Sequence, residues 1–484
     1  MSLTTKVAYN TFIQFGGKII STLLGVITIA IMARYLGTIG FGQYSTIMAY
    51  LQFFGILVDM GLALTVVRLI ADPRNDQQKI INNVFSIRFF SALIFLGLAP
   101  LIILVFPYDN LVKLGVAIAT LSFFAISLNQ ILIGLFQKEL KMASVTISEI
   151  AGRFILFLLV FIFVITNKGL LAIILAVVLS SLTNFLLNYI FAHKFVKIAF
   201  AFDWSIWEKI IKTTWPIAIS IAFNLVYFKA DTIILSLVRS QAEVGIYNAP
   251  YRVLEILTNF IYMFMGIIFP ILTLTWAEKN FDKFKSIFQK TFDFLVILAV
   301  PMIFGTLFLA KNIILLIAGP EFIASALVLK IIIFATAIIF INSLFGYSIV
   351  VINKQKQMVW AYVFVAIVAL TGYLIFIPRY GYYGAAAFTI VSEALIFLLN
   401  FIVTVKTTNF FPSFMIFLKA IAASLVMSVF LYLFPNQNVI LSIIIASLIY
   451  AAALYLFRGY SKEMVLEILK LKSFASQEKI NIPD

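Results

Sequence analysis

Two carboxylates in this chain, Asp59 and Glu393, stand near the middle of long apolar stretches. An ionised side chain there costs at least about 2.5 kcal/mol unless it is hydrated or paired. Such a group can take up a proton or bind sodium and so answer to an ion gradient; the competing chemistry is a structural salt bridge. Lys18, deep in the first apolar stretch, and Arg252 are the cations best placed to hold a phosphate, with Tyr227, Tyr251 and Tyr262 available to stack on sugar rings. Lys229, Asp231, Arg252 and Glu255 crowd the outer third of one helical hairpin and form a candidate gate. Lys229 and Asp231, two apart, point to nearly opposite sides of a regular helix, which makes Asp231 with Arg252 the expected pair. Arg88, Glu149, Asp293 and Lys419 fall within a turn or two of one surface and Lys330 near the other, where snorkelling makes a charge inexpensive, and they read as anchors. Glu149 and Arg153, four apart, share a face and are expected to pair with each other.

Other chemistries are excluded by composition. There are no cysteines and a single histidine, His193, which removes thiolate catalysis, cysteine metal sites and histidine clusters. No Walker lysine motif is present, so ATP is not the direct energy source. No cofactor is implied.

The elements that must position these residues are membrane helices. Hydrophobic residues make up 63% of the 484 and charged residues only 11%, with a mean hydropathy of +1.10. Soluble domains carry about 25% charged residues. At about 20 residues per crossing, little chain is left for a soluble catalytic domain. Apolar stretches near 12–33, 44–69, 84–106, 111–136, 145–166 and 169–192 form a first half. Those near 210–235, 247–275, 290–318, 323–350, 358–378, 384–405, 413–434 and 438–457 make about fourteen in all. The expected fold is all-α and polytopic, with an N-lobe at 1–205, a C-lobe at 206–408, two further helices at 409–460 and a tail at 461–484. Residues 1–11 lack the pattern of a cleavable signal peptide, so the first stretch is expected to remain as a helix.

Of the 35 lysines and arginines, 22 fall on the side of the N-terminus and six on the other. This asymmetry predicts that both termini are cytoplasmic. The same rule accounts for the net charge of +15 without a nucleic-acid partner. In the tail, Met464, Ile468 and Leu471 recur at helical spacing between lysines, which fits either an interfacial helix or a solvated segment.

The two halves echo each other. Gly42-x-Tyr44 after the first helix matches Gly245-x-Tyr247 after the seventh, and FLLN occurs at Phe185 to Asn188 and again at Phe397 to Asn400. Two matches in consistent order favour a six-plus-six duplication whose repeats are related by an axis along the membrane normal. The same two helices of each half carry polar stripes. Helix one has Asn10, Gln14, Lys18, Ser21, Thr22, Gly25 and Thr28, and helix two has Gln52, Gly55, Asp59 and Ala63. Helix seven has Thr213, Ser220, Asn224, Tyr227 and Asp231, and helix eight has Asn248, Arg252, Glu255, Asn259 and Tyr262. Such stripes mark a water-lined path or, for their small residues, tight helix packing. Asn224 and Asn259 thereby join Lys18, Arg252, Tyr227, Tyr251 and Tyr262 as candidate substrate contacts. Asp59, Glu393, Asp231 and Glu255 are the candidates for ion coupling or gating.

ARYLGTIGFGQY after the first helix and DTIILSLVRSQAEVGIYNAPYRV at Asp231 to Val253 resemble the oligosaccharide flippase family of polysaccharide biosynthesis. FPILTLTWAEKNFDKF from Phe269 and YGYYGAAAFTIVSE from Tyr380 to Glu393 look like its later landmarks. The motifs mark the superfamily shared with multidrug exporters and lipid II flippases and favour the polysaccharide branch. The resemblance implies two six-helix lobes around a central cavity, opening alternately to each side. It implies movement of a lipid-pyrophosphate-linked oligosaccharide to the outer leaflet of the cytoplasmic (inner) membrane by antiport, with a proton or sodium as coupling ion. Partners would be the lipid-linked oligosaccharide, membrane lipids and a polysaccharide polymerase. Lipid II flippases are expected to line that cavity with several arginines, whereas this chain offers Lys18 and Arg252.

Two other readings compete. A multidrug or organic-cation antiporter of the same fold would favour a carboxylate-rich, aromatic cavity, against which the striped lysine and arginine argue. A membrane-embedded polymerase or glycosyltransferase usually needs a large extramembrane catalytic loop, and the longest outer loop here is only about a dozen residues. A transporter rather than an enzyme is therefore expected.

Overall fold

The computed structural model describes the backbone of residues 3–59, 61–71, 76–139, 141–435 and 437–459. Side chains are described over the same residues except at 3–12, 15, 63, 64, 67, 68, 71, 213 and 215–228. The tail proposed as an interfacial helix lies outside the described residues.

The chain is all-α, with no strand among the described residues. The helices are α1 (Leu3–Asp59), α2 (Leu62–Ala71), α3 (Gln77–Ile102), α4 (Asn110–Lys138), α5 (Met142–Ile165), α6 (Gly169–Ala192), α7 (Trp204–Val238), α8 (Gln241–Ala277), α9 (Phe281–Ile317), α10 (Ser325–Val351), α11 (Gln355–Thr408), α12 (Met415–Leu433) and α13 (Val439–Leu456). Among the described residues, eleven of them are long and apolar enough to cross a membrane, and the chain is a multi-pass membrane protein.

α1 has 57 residues and α11 has 54. As straight rods they would run about 80 Å, far beyond a hydrocarbon core of about 30 Å. Each is two helices meeting at a glycine with positive φ, Gly37 (φ 65°, ψ −175°) and Gly381 (φ 56°, ψ −138°). Glycine reaches that conformation without the Cβ penalty. In α11 the Tyr373 and Thr389 hydroxyls lie 3.4 Å apart although sixteen residues separate them, which only a reversal at Gly381 allows. A Cβ at Gly381 would also run into the Glu243 carboxylate. In α1, Tyr35 accepts a hydrogen bond from the first amide of α6, Gly169 (2.9 Å), while Ile47 packs beside Ile174 one turn further along α6. Counting both limbs of α1 and α11 separately, these eleven helices supply thirteen of the expected stretches, and the helix α7 coincides with the remaining one near 210–235.

One span departs from expectation. The stretch read as one helix over 44–69 breaks between α1 and α2, where Gly61 takes φ 78° and its N–H donates to Asp59 Oδ2 (3.1 Å). A left-handed glycine just past a helix end is a stop signal.

The chain divides into two compact units that part at Lys229 and Ala230, inside α7. In the first, α2, α3, α4 and α6 share a core through Val66, Ile81, Val84, Leu132, Phe136 and Ala192. In the second, Phe288, Phe292, Phe345, Phe397 and Phe401 interlock between α9, α10 and α11. α12 and α13 pack onto α9 through Leu309, Met427, Leu431 and Leu454, and Tyr450 donates to the Ile297 carbonyl (2.9 Å). The echo in the sequence has a structural counterpart inside each unit. Asn188 of α6 donates to Asn129 of α4 (2.9 Å), and Asn400, at the same place in the second FLLN, donates to Asn342 of α10 (2.9 Å). Such amide bridges join membrane helices at about 0.6 kcal/mol each on average.

Candidate functional site

The second unit holds a buried cluster of oxygens. Asp231 lies on α7, Tyr247 and Tyr251 stand one turn apart on α8, Tyr373 is on the first limb of α11, and Thr389 and Ser392 are on the second. The reversal at Gly381 is what lays the two limbs of α11 against each other. Asp231 Oδ2 accepts from the Tyr247 hydroxyl at 2.5 Å and from the Tyr251 hydroxyl at 3.2 Å, and Oδ1 accepts from the Thr232 amide at 2.5 Å. The two tyrosine hydroxyls are 2.6 Å apart, and both reach Thr389 Oγ1, at 3.3 and 3.1 Å. Tyr373 continues the chain to Thr389 and Ser392, each at 3.4 Å. The next residue is Glu393, 3% exposed, and among the described residues it has no ion-pair partner.

Every side chain in this cluster is at least nine-tenths buried and offers oxygen only. Oxygen donors suit a proton or a hard cation rather than a soft metal. A fully bonded hydroxyl network also fixes the positions of its members, because leaving any buried polar group unmade costs about 1–3 kcal/mol.

The first unit treats its carboxylates differently. Asp59, at the C-terminal end of α1 where a negative charge opposes the helix dipole, is ion-paired to Arg88 at 2.5 Å. Arg88 was expected to snorkel as an anchor; instead it is 1% exposed and gives two further N–H donors to the carbonyls of Val58 (3.0 Å) and Ser127 (3.1 Å). The break after Asp59 supplies the reason, since it leaves carbonyls at the end of α1 without intrahelical partners. Lys18 is bonded to Glu149 of α5 at 3.2 Å, and this pair takes the place of the expected pair between Glu149 and Arg153. The stripe on helix one is partly a packing face. Ser21 and Thr28 are buried, Thr28 bonds back to the Leu24 carbonyl, and Gly17 lets α5 approach at Thr146.

On α8, Arg252 pairs with Glu255 three residues on (2.8 Å), while Asn259 and Tyr262 are exposed further along the stripe. The side chains of Asn224 and Tyr227 lie outside the described residues. Of the candidates, then, the structure joins Asp231 with Tyr251 and Arg252 with Glu255, and gives Lys18 and Asp59 separate partners in the first unit. Sequence reasoning missed Tyr247, Tyr373, Thr389, Ser392 and Arg88 as members of these centres. One signal was there: Thr389, Ser392 and Glu393 lie within about one turn, as Tyr247 and Tyr251 do four apart.

Residues 7–276 match the family described as polysaccharide biosynthesis protein. A probable low-salt glycan biosynthesis flippase of Haloferax volcanii, Agl15, is 26% identical over 170 residues. That match spans 35% of this chain and 36% of the relative, so the chain covers about a third of that relative's length. Among solved structures, the lipid II flippase MurJ in an inward closed conformation superposes with a TM-score of 0.77 at 16% identity, covering 92% of this chain and 98% of that one. An inward-facing multidrug resistance MATE family transporter of the MOP superfamily gives 0.65 at 13% identity, covering 82% and 99%. At such identities the likeness concerns the fold. With more than half of its length matched, the chain belongs to the polysaccharide biosynthesis protein family, on a fold it shares with MurJ and MATE transporters.

Proposed function

We propose that this protein is a flippase that moves a lipid-pyrophosphate-linked oligosaccharide from the inner to the outer leaflet of the cytoplasmic membrane, by alternating access driven by a proton or sodium gradient. The observation that carries the reading is the family match over residues 7–276. The MurJ-like fold and the glycan flippase relative support it. The orientation is both termini cytoplasmic, supported by the distribution of lysine and arginine. The halves act as six-helix lobes at 1–205 and 206–408, with 409–460 as an addition, and a polysaccharide polymerase is the partner that consumes the product.

Within this reading, the buried oxygen cluster with Asp231 and Glu393 is the seat of ion coupling. Burial without a counter-charge makes Glu393 the group most sensitive to the presence of a proton or cation. Tyr251 belongs with that cluster, since its hydroxyl is engaged there. Lys18 and Arg252 meet the pyrophosphate by exchanging their carboxylate partners for it, and Asn224, Tyr227, Asn259 and Tyr262 contact the sugars. Asp59 with Arg88 acts as a clamp whose charges are met inside the protein, and Glu255 as the gate that releases Arg252 to the substrate.

A second reading, a multidrug or organic-cation antiporter, is favoured by one observation, the MATE likeness. Both are tested by reconstitution into liposomes with a lipid-linked oligosaccharide, following sugar on the opposite face with and without an imposed proton or sodium gradient. Protein-dependent movement is expected. No movement, together with transport of organic cations under the same gradients, would overturn the flippase in favour of the exporter.

A further inference from the structure

The segment that joins α6 to α7 is a strap laid along α3. Over residues 196–203 it is neither helix nor strand, yet every second amide is met by a side chain of α3. Lys197 N donates to Gln78 Oε1 (3.1 Å), Ala199 N to Asn82 Oδ1 (3.2 Å), Ala201 N to Ser86 Oγ (2.9 Å) and Asp203 N to Asn83 Oδ1 (2.8 Å). Gln78, Asn82 and Ser86 recur every four residues, so one face of α3 serves as the strap's bonding partner. Between these amides Phe200 packs against Phe89 (ring centroids 5.0 Å), and Phe202 packs against Phe90 (5.6 Å) and Trp207 (5.7 Å).

The outcome is a cup of about 390 Å³ lined by Phe90, Phe202, Trp204 and Trp207. It opens outward, with Phe202 67% and Trp204 75% exposed. Its walls are hydrocarbon and ring faces. The Trp207 indole N–H is already given to Asn83 Oδ1 (3.0 Å), so that polar group is held away from a guest. The flanking sequence, residues 193–212, carries Lys194, Lys197, Lys209 and Lys212 against Asp203 and Glu208, four positive charges to two negative, with Asp203 met by Lys79 and Glu208 by Lys212, each at 2.6 Å. Single tryptophans are common at membrane surfaces; here four rings border one open concavity held by a bonded strap.

We propose that this cup seats one acyl chain of an anionic phospholipid, at the membrane surface where α3 and α7 begin. The apolar walls fit a hydrocarbon tail, and the excess of lysine attracts the anionic headgroup above it. The inference needs only that the chain resides in a bilayer.

The test uses the full chain in nanodiscs, with Trp215, Trp276 and Trp360 replaced by Phe so that Trp204 and Trp207 report. Acyl-brominated phosphatidylglycerol and acyl-brominated phosphatidylcholine are compared as quenchers in unbrominated phosphatidylcholine. Half-maximal quenching is expected at an about five-fold lower fraction of the glycerol lipid, after screening of the two excess charges. Phe202→Ala, at an exposed side chain, should abolish that preference. Equal quenching by both lipids would overturn the proposal, as would displacement by undecaprenyl phosphate equimolar with the protein, which would make the guest an isoprenoid. Should the tryptophan-reduced chain fail to fold, native mass spectrometry of the unaltered chain decides: retained phosphatidylglycerol that Phe202→Ala loses supports the seat, and no retained lipid overturns it.

Discussion

The two units place a buried asparagine bridge alike and treat their carboxylates differently. Asn188 with Asn129 and Asn400 with Asn342 bond at the same distance between corresponding helices of the repeat. In the first unit, however, Asp59 is matched by the guanidinium of Arg88, while in the second Asp231 is bonded by tyrosine hydroxyls and Glu393 lies beyond them. An ion pair in a poorly hydrated place fixes its charges, since removing either partner strands the other. Hydroxyls accept and donate alike, so a carboxyl set among them is satisfied in more than one state of charge. The two units thus keep the packing contact and differ in their chemistry: one meets its carboxylate with a guanidinium, and the other bonds its carboxylate with tyrosine hydroxyls.

Six variants break or sharpen that comparison. Glu393→Gln should remove the response of transport to an imposed gradient entirely, while its melting temperature in detergent stays within a few degrees of the parent; an unchanged gradient response would take Glu393 out of coupling. Arg88→Ala should destabilise by about 3–5 kcal/mol, because it strands Asp59 and two carbonyls, as read from chemical unfolding in detergent micelles. Adding Asp59→Asn should recover part of that loss. Tyr247→Phe takes a hydroxyl from Asp231, Tyr251 and Thr389 at once and should cost about 1–3 kcal/mol in the same assay, with a weakened gradient response. Asn188→Ala and Asn400→Ala should each cost about 0.6 kcal/mol, reaching about 1.7 at most. A large effect at one and none at the other would end the case for equivalent bridges.

The smallest effect concerns the strap. The Lys79 ammonium, hydrogen-bonded to Asp203, holds that carboxyl below the usual carboxylate range, with the Ile206 amide adding to the effect. Asp203 therefore contributes stability above its unfolded pKa of about 3.9 and loses it as pH falls through the lower folded value. Hydrogen exchange of the Ala201 and Asp203 amides should be slowed above that limit and lose the protection as pH falls through the folded value. Asp203→Asn should shorten their protection without changing transport.

Much of this was legible in the residues. Apolar length gave the spans, since a helix in lipid satisfies its own backbone and needs only about 20 apolar residues to declare itself. Gly42-x-Tyr44 and the second FLLN signalled the repeat before any contact was known. The candidate site was legible only in part. Asp231 and Glu393 stood out because charge is rare in a membrane, whereas Tyr247, Thr389 and Tyr373 were hidden among ordinary hydroxyl residues. Arg88 was misplaced because distance along a helix was read as depth, and the break at Gly61 turns the chain's end toward it.

The sequence by itself determined the all-helical, multi-pass architecture, the duplicated halves and the family, because each is written in local composition and periodicity. Which charge meets which was decided only by the tertiary structure. Lys18 and Glu149 are 131 residues apart, Arg88 and Asp59 are 29 apart, and Tyr373 meets Thr389 only because Gly381 turns the helix back on itself. Helical periodicity fixes the face a side chain occupies on its own helix, and packing alone decides which other helix that face confronts.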